Sequence, residues 1–82
     1  MIIIGEKING TRKEVGAAIE NRDSRFIKRL AREQIEAGAD YLDLNAGTHP
    51  DKEPADMAWL VTTVQEELPQ VRLCLDLSLI HI

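Results

Sequence analysis

Three short apolar runs lie far apart in this chain, at Met1–Ile4, Tyr41–Leu44 and Val71–Leu75. Between them, apolar residues recur every three or four positions. That alternation is the feature that most constrains the fold. Strands that read as apolar on both faces, joined by helical crossovers, pair in parallel with the helices packed outside. The crossovers are expected to be right-handed.

Local signals set the boundaries. Gly5 is expected to stop the first strand. Residues 12–22 fit a short helix with Val15, Ala18 and Ile19 turned inward. "RDSRFIKRLAREQIEAGAD" predicts a longer helix, capped by Asp23 or Ser24 and stopped by Gly38. Its stripe is Phe26, Ile27, Leu30, Ala31, Gln34 and Ile35. After the turn-rich loop "GTHPDKEP", Pro54 suits the first turn of a further helix. Met57, Leu60, Val61 and Val64 form its stripe, and Pro69 ends it.

Each strand is followed or finished by polar side chains. Glu6 and Asn9 follow the first, Asp43 and Asn45 end the second, and Asp76 closes the third. In a parallel sheet all these ends share one side, the side on which open α/β sheets and barrels bind ligands. Any one of them could simply cap its loop. Three strands in succession argue for a shared polar site, because burying unpaired acids and amides is costly.

Composition narrows the function classes. With 82 residues the chain is one small domain, and 44% hydrophobic with 29% charged residues is an ordinary soluble composition. Its apolar runs fall far short of the roughly 18 residues that span a bilayer, and no basic, leader-like segment precedes one. A net charge of −4 argues against a nucleic-acid partner. The basic stretch "RFIKRLAR" reads as a solvated helix face. A single cysteine, Cys74, excludes an internal disulfide, suits a reducing cytoplasm and reads as a buried, inert thiol. His49 and His81 have no spacing partner for zinc, so no metal site is expected. Trp59 and Tyr41 read as packing residues and His49 as an exposed turn residue. There is no dinucleotide fingerprint, phosphate loop or nucleophile triad.

Four segments together, "IIIGEKING", "AREQIEAGADYLDLNAGT", "MAWLVTTVQE" and "LCLD", resemble in order and spacing the N-terminal region of the methyltetrahydrofolate–corrinoid/iron-sulfur protein methyltransferases. These belong to the pterin-binding superfamily that includes dihydropteroate synthase. The resemblance covers residues 1–76. It implies the first three β/α units of a (β/α)8 TIM barrel, with a pterin held at the C-terminal rim. By the same resemblance, methyltetrahydrofolate is the methyl donor, and the acceptor is the cobalt of a cobalamin carried by a partner corrinoid protein. Asp76 matches the aspartate that binds the pterin ring, Asp43 and Asn45 match residues lining the same pocket, and Glu6 and Asn9 match the first-strand motif beside it. The intact enzymes of this kind tend to be homodimers.

The chain also departs from that pattern. A complete barrel needs about 250 residues and eight strands, so the family's later residues near the reacting nitrogen are absent and no catalytic residue is assigned. After Asp76, "LSLIHI" does not continue the family pattern. Residues 77–82 read as a non-native tail, similar to translated sequencing-adapter read-through. The expectation is therefore an N-terminal fragment of a longer methyltransferase. Two other readings remain open at this stage: the folate domain of a cobalamin-dependent methionine synthase, and a non-catalytic α/β protein that assembles with other chains. The GEKING motif sets dihydropteroate synthase further away, and a first barrel strand at residue 1 favours the stand-alone enzyme over the methionine synthase.

Overall fold

A computed structural model describes residues 1–77. Of the tail expected to be non-native, only Leu77 falls among them, and the remainder lies outside the described residues. The elements run β1 (Ile4–Asn9), α1 (Lys13–Glu20), α2 (Ser24–Glu36), β2 (Tyr41–Asn45), α3 (Glu53–Glu67) and β3 (Arg72–Leu75). The three strands form one parallel sheet in the order β1-β2-β3. The α/β architecture expected from the alternation of runs is present.

The expectation for the first strand needs correction. It does not stop at Gly5 but begins at Ile4 and continues to Asn9, with a bulge between Gly5 and Ile8. Gln34 of α2 makes this possible. Its side-chain oxygen accepts the Lys7 N–H at 3.0 Å, a donor that the bulge takes out of the ladder. The Gln34 amide in turn donates to the Leu30 carbonyl at 3.3 Å. A side chain on Gly5 would collide with Gln34, so the glycine leaves room for the glutamine instead of ending the strand.

The helices form where the periodicity placed them. Asp23 caps α2 by accepting the Phe26 N–H at 3.2 Å, and Pro54 lies in the first turn of α3. Ile8, Ile27, Leu42, Leu44, Leu60 and Val64 are sealed between the sheet and these helices. Each such side chain contributes about 1.5–3 kcal/mol by leaving water.

A second correction concerns the other sheet face. The strands are not apolar on both sides. Along β2, Leu42 and Leu44 are buried while Tyr41, Asp43 and Asn45 remain half-exposed. All three helices cover one side, so the strand's two-residue period divides covered from open positions. Cys74 lies opposite Asp43 and is likewise half-exposed, not the buried thiol expected.

Arg22 ties the helices together. It adopts φ +53° in the turn between α1 and α2. Its guanidinium pairs with Asp56 at 2.9 Å, donates to the Ile19 carbonyl at 3.2 Å and lies 5.1 Å from the Trp59 ring centroid. Trp59 is thus a packing residue, as its place on the helix suggested. Among the described residues, no helix is long and apolar enough to cross a membrane.

Candidate functional site

The open face is arranged in three rows across the strands. The lowest holds Ile4, Tyr41 and Arg72, where Ile4 and Arg72 are the register partners of Tyr41. The Arg72 guanidinium sits 5.8 Å from the Tyr41 ring centroid, which gives Tyr41 a packing contact on this face. The middle row pairs Asp43 with Cys74 and has Glu6 near enough to act on Asp43, and the top row pairs Asn9 with Asn45, whose amide reaches Asp76. The five polar residues singled out in the sequence therefore share one face. They do not all stand at its rim, because Asp43 lies one layer lower, within its strand, and Glu6 enters through the bulge.

The electrostatics agree with this placement. Partial burial raises the Asp43 carboxyl above the usual carboxylate range, and the charges of Asp76 and then Glu6 push it the same way. Asp43 and Asp76 are thus close enough to repel across neighbouring strands. Opposite orientations would have dissolved the idea of a shared site.

Two loops are locked together at the rim. The Gly10 N–H donates to the Asn45 carbonyl at 2.7 Å, and the Asp76 N–H donates to the Leu44 carbonyl at 2.9 Å. Gly10 and Gly47 let the β1–α1 and β2–α3 loops touch backbone to backbone. A Cβ at Gly10 would overlap the Ala46 carbonyl oxygen, and one at Gly47 would come within 2.5 Å of the Thr11 nitrogen. Gly47 also has φ +64°, a conformation that other residues adopt only with strain.

The asparagines brace these loops. Asn9 Oδ1 accepts from the Thr11 N–H at 2.9 Å and from the Thr11 hydroxyl at 2.7 Å. Asn45 Oδ1 accepts from the Gly47 N–H at 2.8 Å, while its amide donates to Asp76 Oδ2 at 3.1 Å. Loop bracing by Asn and Asp was the alternative weighed in the sequence, and both asparagines do it. Asp43 and Asp76 keep acceptor capacity facing the open side, since an ionised carboxylate has about four acceptor positions.

Other positions fall outside this constellation. His49 is an exposed turn residue whose Nδ1 lies 3.4 Å from Asp51. Among the described residues, no group of three or more His, Cys, Asp or Glu is arranged to hold a metal ion. Reading the sequence gave no role to Arg22 and placed Gln34 only as part of an apolar stripe. A glutamine recurring at core spacing beside a β-bulge glycine was the available signal for Gln34. Arg22 had none.

No family model matches the chain. A curated protein of Eubacterium limosum, named methylcorrinoid:tetrahydrofolate methyltransferase, is 47% identical over 76 residues. The match takes in 93% of this chain but only 28% of that relative's length.

Proposed function

We propose that this chain is part of a tetrahydrofolate–corrinoid methyltransferase, the kind of enzyme for which its relative is named, and that its open sheet face is part of that enzyme's pterin site. The observation that carries this reading is the convergence of Glu6 and Asp43 on one uncovered face with Asp76 above them, at the rim that Asn9 and Asn45 share.

The residue types suit the ligand. A pterin offers a ring N–H and an exocyclic amine on one edge, and a carboxylate accepts both together. Asp76 takes that edge in this reading. Asp43 and Glu6 set a negative field under the ring, with Asn9 and Asn45 at its border. Methyl transfer from N5 to cobalt(I) breaks the C–N bond and forms the C–Co bond. N5 keeps the electron pair of the broken bond and gains a proton. The relative's name puts methylcorrinoid as donor and tetrahydrofolate as acceptor. In that direction N5 supplies the pair and releases its proton, and cobalt leaves as cobalt(I). One site serves both directions because they share a transition state. An acidic, amide-bordered pocket stabilises positive charge on N5 in either, and a fixed ring supplies orientation.

The complete pocket in this proposal belongs to a (β/α)8 barrel, of which these strands are the first three. Two features support continuation of the sheet. β3 pairs on one side only among the described residues, and beside it runs an apolar cleft of about 520 Å³ lined by Met57, Val61, Leu75 and Leu77. The corrinoid would be presented by a partner protein.

The test is titration of the ¹⁵N-labelled chain with tetrahydrofolate. Shifts are expected to concentrate at the amides of Asp43, Asn45 and Asp76, and Asp76→Ala should abolish them. Shifts scattered over the helices, or none, would remove the reading. With methyltetrahydrofolate and a reduced corrinoid, the isolated chain is expected to show no turnover, since the described residues form three strands and the barrel of this proposal closes with eight.

A further inference from the structure

The Asn45 carboxamide is engaged at both ends, its oxygen and its nitrogen in opposite directions. Its oxygen is taken by the Gly47 N–H, which sets the amide orientation, because a flipped group would turn NH₂ against that donor. The amide is thereby committed to Asp76 Oδ2 on the neighbouring strand end. The close approach of Gly47 to the β1–α1 loop at Gly10 and Thr11 sets where that N–H lies.

Asp76 has no comparable fixation of its own. It lies just past the end of β3, is exposed, and has its backbone N–H bonded to Leu44. Asp43 repels it from below. Left to itself, a carboxylate so placed would turn toward solvent.

We infer that Asn45 is a positioning residue: with its oxygen held by the Gly47 N–H, its amide holds Asp76 over the open face. This rests on the pterin reading of the site and assigns Asn45 a part within it, acting on the ligand through Asp76.

Asn45→Asp isolates the effect. An aspartate still accepts the Gly47 N–H, so the loop brace survives, but the donor facing Asp76 becomes a second carboxylate. Near pH 7.5 the two like charges should drive Asp76 off the face. Tetrahydrofolate should then bind about tenfold more weakly than to the wild-type chain. Below roughly pH 5 the pair shares a proton and an O–H···O bond can replace the lost one. The ratio to wild type measured at the same pH should return to within about threefold. Asn45→Ala should lose a similar factor at both pH values. A loop-bracing role alone predicts wild-type affinity for Asn45→Asp, whose carboxylate keeps the brace, so the absence of a loss in that variant at pH 7.5 would overturn the inference, as would an equal, pH-independent loss in the two variants. Wild-type affinity in Asn45→Ala would overturn it as well.

The side-chain NH₂ signals of Asn45 give a readout that needs no ligand. They should move on Asp76→Ala and stay fixed on Asp43→Ala. If they behave so while the wild-type chain ignores tetrahydrofolate, the pterin reading fails and the Asn45–Asp76 bridge stands. If they do not respond to Asp76→Ala, the bridge itself is refuted.

Discussion

The two faces of this sheet are made from the same strands and do opposite things. On the covered face, Leu42 and Leu44 are 0% exposed and Ile8 joins them beneath the helices. On the open face, the alternate residues Tyr41, Asp43 and Asn45 of the same strand stay half-exposed beside Arg72, Cys74 and Asp76. The contrast separates stability from chemistry within single strands. Burial of apolar area stabilises the covered face, whereas the open one holds repelling carboxylates that stabilise nothing by themselves.

The largest test of that division is Leu44→Ala. It should cost about 3 kcal/mol in denaturant unfolding, by the transfer and cavity terms of a fully buried leucine. A loss below about 1 kcal/mol would mean that the helix-covered face is not where the stability lies. Gly47→Val comes next, at about 2 kcal/mol, from forcing a β-branched residue to positive φ against the neighbouring loop. Its spectral changes should stay around residues 9–12 and 45–49.

Asp43→Asn should act in the other direction. The folded carboxyl titrates above its unfolded value, so the folded chain binds more protons across that interval. The contribution of Asp43 to stability is fully present below the unfolded value of 3.8 and is lost as pH rises through the raised folded value. Asn cannot ionise, so the variant should melt higher than wild type at pH 7 and match it near pH 3. Parallel melting curves for the two across this range would remove the repulsion from the account of the open face. The smallest effect belongs to the surface. Glu66→Ala breaks a 3.2 Å pair with Lys28 on the helical layer and should change stability by less than about 0.5 kcal/mol.

Much of the covered face could be read from the chain. Apolar residues at helical spacing placed Val15, Ala18, Ile19, Ile27, Leu60 and Val64 correctly, because helix periodicity is a local property. The polar residues of the open face were legible one by one but not in their arrangement. Strand-end acids and amides pointed to a shared face, yet Asn9 comes level with Asn45 only through the bulge between Gly5 and Ile8. That bulge depends on Gln34, which is 27 residues from the N–H it satisfies. Such a contact leaves no periodic trace.

By itself, the order of residues determined the alternation of strand and helix, that the strands run parallel, and that polar residues collect toward the strand ends. These follow from propensity, period and the chirality of the chain, all of which act over a few residues. Only the tertiary structure decided that one sheet face stays open, that Arg22 locks α3 to the helical turn, and that Asn45 faces Asp76 instead of solvent. Those outcomes arise where distant segments compete for the same space and the same hydrogen bonds, a competition settled only when the chain is packed.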